Sequence, residues 1–158
     1  MAKKVKAIPR GYHTVTPNLV IHGAAEAIAF YKKAFAAKQI MRMPGPGGSI
    51  MHAELRLGDS TIMLADEMPG MGSKSPATLG GSPVGFYVYV ENLDATWKRA
   101  VAAGAKILMP ITEMFWGDRM GHLEDPFGHS WSLASHVKDL TPAEIKKAQK
   151  AFLAQRKP

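Results

Sequence analysis

The chain contains no cysteine. Disulfides, thiolate metal sites and cysteine nucleophiles are therefore all excluded. No apolar run is long enough to cross a bilayer, and the polar, basic N-terminus is followed by no apolar signal segment. These absences point to the cytoplasm and to no membrane partner. The glycine-rich stretch Gly45-Pro46-Gly47-Gly48 lacks the Lys-Ser/Thr pair and the following helix of a phosphate loop. An excess of one charge is missing from the body of the chain as well. The net charge is +7, yet Lys3, Lys4, Lys6 and Arg10 put +4 into the N-terminus, and the chain from Lys138 onward carries another +4. Between Gly11 and Val137, ten basic residues face eleven acidic ones. A nucleic-acid-binding domain carries its charge on the folded body. Here the excess sits on the ends, where it aids solubility, and no nucleic-acid partner is expected.

What is present centres on the stretch from Trp116 to Leu133. Asp125-Pro126-Phe127-Gly128 is strong turn chemistry: Asp opens the turn, Pro presets φ and Gly accepts positive φ. A strand candidate lies on each side, which reads as a hairpin. A weaker copy of this outline occurs earlier, where Ile50–Leu57 and Ser60–Asp66 flank Gly58-Asp59. The echo extends further. Phe30 matches Trp97, Lys38-Gln39-Ile40 matches Ala105-Lys106-Ile107, and Ile62-Met63-Leu64 matches Trp131-Ser132-Leu133. That offset, about 67 to 69 residues, is too long for a solenoid period and suits a duplicated module.

Taken in order, residues 1–11 read as a mobile arm. His13 to Ile21 is a strand candidate whose Pro17 marks an edge or bulge. Ala24 to Ala37 is helical, with Ala27, Ile28, Tyr31, Ala34 and Phe35 on one stripe. Lys38 to Met43 and the hairpin complete a first module over 12–66. Residues 67–83, rich in Gly, Pro and Ser, form a connector. The second module, 84–137, has a strand at Val84–Val90 and a helix starting at Asn92 or Asp94 and stopped by Gly104. Short strands follow at Lys106–Met109 and Ile111–Phe115, then the hairpin. Residues 138–158 hold a C-terminal helix opened by the capping box Thr141-Pro142-Ala143-Glu144.

With these residues the chain resembles the vicinal-oxygen-chelate superfamily of glyoxalase I, bleomycin-resistance proteins and extradiol dioxygenases, and more narrowly its PhnB-like branch. The likeness is carried by Ala27-Ile28-Ala29-Phe30-Tyr31, His52-Ala53-Glu54-Leu55, Ile62-Met63-Leu64-Ala65-Asp66, Trp116-Gly117-Asp118-Arg119 and Asp125-Pro126-Phe127-Gly128-His129-Ser130-Trp131. It implies an α+β fold: two βαβββ modules forming a curved eight-stranded mixed sheet with a concave cavity, plus a C-terminal helix. It also implies a homodimer, often with modules exchanged between chains. Metal-dependent members hold a divalent ion with a His or Glu from each of four strands. Carried over, those positions are Thr16, Met63, Gly85 and Ser132, none a good ligand for Zn²⁺ or Ni²⁺. No metal and no cofactor are expected.

Strand alternation gives a separate reading of the same face. Met51, Ala53, Leu55 and Leu57 should pack on the helix, leaving His52, Glu54 and Arg56 opposite. By the same rule Met63, Tyr87, Ser130 and Ser132 face the cup, while Trp131 and Leu133 pack inward. His52-Ala53-Glu54 and His122-Leu123-Glu124 are a matched pair. Each is either a set of strand-face polar residues bonded to neighbours, or a displaced metal site or base–carboxylate pair. If one is catalytic, His52 or Glu54 is the choice. Trp116 is core or an aromatic wall of the cavity. Arg119 grips an anion by its fork or pairs with Asp118, Glu113 or Glu124. The candidate ligand-binding residues are thus Thr16, His52, Glu54, Met63, Tyr87, Trp116, Arg119, His122 and Ser132. The leading expectation is a metal-free dimer that binds an unidentified small molecule. Its rival is an enzyme, a metal-dependent glyoxalase-type lyase or isomerase, or one resembling the dioxygenases.

Overall fold

A computed structural model describes residues 5–155. The first four residues of the expected arm and the last three of the 138–158 segment lie outside the described residues. Strand β1 (Asn18–Ile21) is followed by helix α1 (Ala24–Phe35), strand β2 (Lys38–Pro44), strand β3 (Ile50–Leu57) and strand β4 (Ser60–Asp66). A short helix, α2 (Pro76–Leu79), precedes strand β5 (Gly85–Tyr89), helix α3 (Leu93–Ala102), strand β6 (Lys106–Glu113), strand β7 (Asp118–Glu124) and strand β8 (Ser130–His136). Helix α4 (Pro142–Gln155) closes the chain. The fold is α+β. Its eight strands form two four-stranded mixed sheets, ordered β1-β4-β3-β2 and β5-β8-β7-β6. In each, the first and fourth strands of the module run parallel and the other pairs antiparallel. The duplicated unit is therefore visible strand for strand.

The chain divides into two compact units, one reaching Ser82 and including Pro126–Gly128, the other taking Pro83–Asp125 and everything from His129. In the first, α1 buries Ala24, Ala27, Ile28, Phe30, Tyr31 and Ala34 against β-strand residues Ala53, Leu55, Ile62 and Leu64, also buried. Its N-terminus is anchored by the Asp66 carboxylate, which accepts from the backbone N–H of Gly23 at 3.0 Å and of Ala24 at 2.8 Å. An anion there satisfies orphan donors and the positive end of the helix dipole. In the second unit Trp131, Leu133 and Leu123 are buried. Trp131 donates its indole N–H to Asp125 at 2.8 Å.

Several expected bounds shift, each for a local reason. The first strand starts at Asn18 rather than His13. Pro17 has no N–H to donate, though its carbonyl still accepts from Met63 N at 2.8 Å. The two short strands expected at 106–109 and 111–115 are one, β6, which runs through Pro110. Register shifts around Met109 absorb the proline, as an edge strand allows. The connector is ordered around Glu67, whose carboxylate takes Ser75 N–H at 2.8 Å, Ser75 O–H at 2.7 Å and Thr78 O–H at 2.7 Å. These donors pull its pKa down to about 2. Met51, expected on the buried face, is exposed, because the β2–β3 register slips beside it at Met43/Pro44. The capping box forms as read: Thr141 N donates to Glu144 at 2.8 Å and Glu144 N to the Thr141 hydroxyl at 3.3 Å.

Candidate ligand-binding site

Each sheet has one face covered by its helix and one free of it. In the first unit the register aligns Glu54 with Met63, Arg56 with Thr61, Met43 with His52 and Asn18 with Met63. His52, Glu54, Met63 and Asn18 thus share the helix-free face. Glu54 is buried there. Its carboxylate accepts from the Tyr12 hydroxyl and lies 3.1 Å from His52 Nε2. The Tyr12 bond, opposed by burial and aided by His52, holds Glu54 below the usual carboxylate range. The Thr61 hydroxyl donates to Gly11 O at 3.0 Å, so residues 11 and 12 lie across this face.

The second unit's helix-free face is built on a residue that the sequence offers only as a partner for Arg119. Asp118 is only 2% exposed. One carboxylate oxygen accepts from the Tyr87 hydroxyl at 2.8 Å, the Tyr89 hydroxyl at 3.0 Å and the Trp116 indole N–H at 3.0 Å. The other lies 2.8 Å from His136 Nδ1, whose Nε2 is 3.0 Å from Asp139. Burial pushes the Asp118 pKa up, but His136, Tyr87, Tyr89 and Trp116 together outweigh it and hold the carboxyl below its ordinary value. Burial and the bond to Asp118 push the Tyr87 hydroxyl up to about 12. The bonds to Asp118 and Asp139 raise His136. Backbone geometry makes this possible. Gly117 sits at φ +99°, and a Cβ there would lie 2.1 Å from the carbonyl oxygen of Lys138. Only glycine lets the chain turn so tightly into β7.

The pinned hydroxyls fix two aromatic rings beside each other. Tyr87 and Tyr89 have centroids 5.2 Å apart and remain 45% and 62% exposed. Register carries the same face to Ser132, opposite both Tyr87 and His122. His122 Nε2 is hydrogen-bonded to Ser130 Oγ. The matched His-x-Glu pairs therefore resolve differently: His52 meets its Glu, and His122 meets a serine instead.

The other candidates fall elsewhere. Arg119 lies on the opposite face of β7 from Asp118. Its fork binds both oxygens of Asp94 on α3 at 3.2 Å, not Asp118, Glu113 or Glu124. Thr16, expected on the first strand, precedes β1 and is half-buried. The residue that pairs with Met63 is Asn18, and the neighbour of Ser132 is Tyr87, while Gly85 pairs with Ser130. Trp116 is half-buried rather than core. Parity along β7 was the signal for Asp118, since positions 118, 120, 122 and 124 share one face.

The family positions do not fit a divalent cation. Register places an amide, a thioether, a phenol and a hydroxyl beside one another in two pairs, where such ions take imidazole or carboxylate.

Comparison with known proteins agrees with this architecture. The family model described as Glyoxalase/Bleomycin resistance protein/Dioxygenase superfamily matches residues 13–133. An uncharacterised protein of Mycobacterium tuberculosis is 45% identical over 137 residues, which is 85% of this chain and 81% of that one. Among solved structures, a gene product of Arabidopsis thaliana is 28% identical with a TM-score of 0.63, over 78% of this chain and 98% of that one. The PhnB protein of Bacillus cereus shares the fold at 23% identity and a TM-score of 0.60, over 78% of this chain and 99% of that one. With its two βαβββ sheets and this match, the chain belongs to the glyoxalase/bleomycin resistance protein/dioxygenase superfamily and has PhnB-like structural neighbours.

Proposed function

We propose that this protein is a PhnB-like binder of a small molecule that works without a divalent ion, as a cytoplasmic homodimer. One observation carries the reading. Two tyrosine rings stand side by side on a sheet face, locked by their hydroxyls to a buried carboxylate and left largely exposed. Rigid aromatic surface of this kind binds at low entropic cost, because the rings have little rotamer freedom left to lose. The apolar part of a guest would lie against Tyr87 and Trp116. The polar groups of the first unit's face, His52 and Glu54, are the matching candidates there, with Met63 as adaptable surface. Ser132 and His122 complete the second face.

The dimer is supported by the outer strands. Strand β2 exposes Ile40, Met41 and Met43, and β6 exposes Ile107 and Leu108. Apolar edges left bare invite pairing with another chain. The cytoplasmic placement rests on the cysteine-free composition. The test is titration of the untagged protein with hydrophobic fluorescent ligands, alongside metal analysis and light scattering. Saturable binding that Tyr87→Ala weakens at least tenfold, in a metal-free dimer, is the expected result. A folded protein without saturable binding would sink the reading.

A second reading rests on His52 and Glu54. An ionised Glu54 favours the tautomer with the proton on His52 Nε2, leaving Nδ1 as an acceptor, the arrangement of a base oriented by a carboxylate. That arrangement suits proton transfer in a glyoxalase-type lyase or isomerase. A stoichiometric metal in untagged protein, with turnover lost in His52→Gln, would favour it over the binder.

A further inference from the structure

A groove of about 720 Å³ runs within the second unit between α4 and the segment entering β7. It has the size of a small-molecule site. Its lining includes Asp118 but neither Tyr87 nor Tyr89, so it opens away from the two exposed rings. One wall is apolar: Phe115, Val137 and Leu140 face Ala148 and Ala151 of α4. No residue of α4 is buried; its Phe152 ring meets Phe115 with centroids 5.2 Å apart, and Ala148 is only half-buried. Five ionisable side chains border the groove. Two of its carboxylates, ionised in the fold, already have their oxygens taken by hydrogen-bond donors. Asp118 takes four donors, and Glu144 takes the Thr141 N–H and hydroxyl at the start of α4. Glu113, the third, lies in the field of the Arg119 guanidinium. The ammonium groups of Lys138 and Lys147 remain. Neither has a carboxylate at ion-pair distance among the described residues, although Lys138 lies near enough to Glu144 to stabilise its charge.

Apolar walls with uncommitted cations at the rim complement one kind of guest. We propose that the groove beneath α4 binds an amphipathic organic anion, its apolar body against Phe115, Leu140 and Ala148 and its acid group at Lys138 and Lys147. The aliphatic stems of the lysines extend the apolar contact while their heads stay wet. This site shares Asp118 with the aromatic face but none of its rings, and it does not rest on the function proposed above.

The test uses 8-anilinonaphthalene-1-sulfonate and its uncharged counterpart N-phenyl-1-naphthylamine, titrated into the folded full chain. One saturable sulfonate site is expected, with the neutral dye bound more weakly. Reversing both lysines, Lys138→Glu with Lys147→Glu, should weaken the sulfonate at least tenfold and change the neutral dye less than twofold. Ala148→Trp, or Ala151→Trp should the first fold poorly, should fill the groove and abolish the lysine-dependent sulfonate binding. Reversing two exposed lysines of α1 instead, Lys32→Glu with Lys33→Glu, should leave the sulfonate affinity within twofold. Wild-type sulfonate binding in the tryptophan variants would overturn the proposal, and so would a loss as large in the α1 reversal. Binding that appears only on dilution, as copies separate, would assign the groove to a second copy and overturn it equally.

Discussion

The two units share strand order, registers and helix placement, and they differ in what they lay on the helix-free face. In the first, a carboxylate on the sheet, Glu54, is met by one neighbour on its own strand, His52, and by Tyr12 from the segment ahead of β1. In the second, Asp118 sits at the start of β7 and gathers Tyr87 and Tyr89 of β5, Trp116 beside it and His136 at the end of β8. One face borrows its cover from upstream chain; the other makes a cluster from its own strands. The helix sides diverge as well. Register makes Ala53 in the first unit and Gly121 in the second equivalent, opposite Leu64 and Leu133. The helix residues Phe30 and Trp97 also correspond. Where the ring is larger the strand residue is smaller. A duplicated backbone thus tolerates two solutions, provided that volume is conserved across each contact and each buried polar group is matched.

Truncating the two carboxylates should break the comparison most sharply. Asp118→Ala removes the acceptor for four donors at a 2% exposed position. It should lower stability by about 2–4 kcal/mol, the cost of orphaning part of a buried network. Glu54→Ala removes a carboxylate with two partners and should cost clearly less. Urea midpoints at constant slope measure both, and equal losses would show that the faces are energetically alike. Next in size is the helix side. A Cβ on Gly121 would lie 2.3 Å from the Trp97 ring, so Gly121→Ala should cost about 1–3 kcal/mol by overpacking. Adding Trp97→Phe imports the first unit's pairing and should recover most of that loss. A double-mutant cycle with no coupling would refute the volume argument.

The pH dependence separates the faces further. His136 has its pKa raised above the ordinary 6.5 by Asp118 and Asp139. A raised pKa in the folded state means a contribution to stability that is fully present below the unfolded value. It fades as pH rises through the higher folded value. The urea midpoint should therefore fall between about pH 6.5 and the folded pKa of His136, and His136→Gln should flatten that part of the profile. Asp118, lowered in the fold, acts at the other end: its contribution holds above its unfolded value and is lost as pH falls through the folded one.

Much of this architecture was legible before any coordinates. The hairpin of β3 and β4 has the bounds that alternation and Gly58-Asp59 imply, and the repeat offset carried the second sheet. What alternation could not supply was pairing across distance. Arg119 and Asp94 are 25 positions apart and meet only because α3 crosses the face of β7 that carries Arg119. Alternation puts Tyr87 on the helix-free face, but its partner Asp118 reads in the sequence as a candidate partner of Arg119. Thr16 was misplaced because Pro17 delays the strand, and no periodicity in so short a segment reveals where pairing starts. The order within the connector depends on Glu67 reaching Ser75 and Thr78, polar contacts that leave no hydrophobic period.

The smallest expected effect tests whether the first unit's cover is held as the second's is. Tyr12 donates to Glu54 from outside the sheet, whereas Tyr87 donates to Asp118 from within it. The Tyr12 bond is the leading cause that lowers the Glu54 pKa. Tyr12→Phe keeps the ring and removes only that donor, so the Glu54 carboxyl should titrate at higher pH, seen by carbon NMR. His52 still holds the other oxygen, so the carboxylate should remain on the face and the global midpoint should move little. Tyr87→Phe leaves Asp118 three donors, and its titration should move less than that of Glu54, since a single donor is a smaller share of the set. If both carboxyls shift equally, a donor borrowed from upstream chain is worth as much as one built into the sheet, and the distinction between the faces fails.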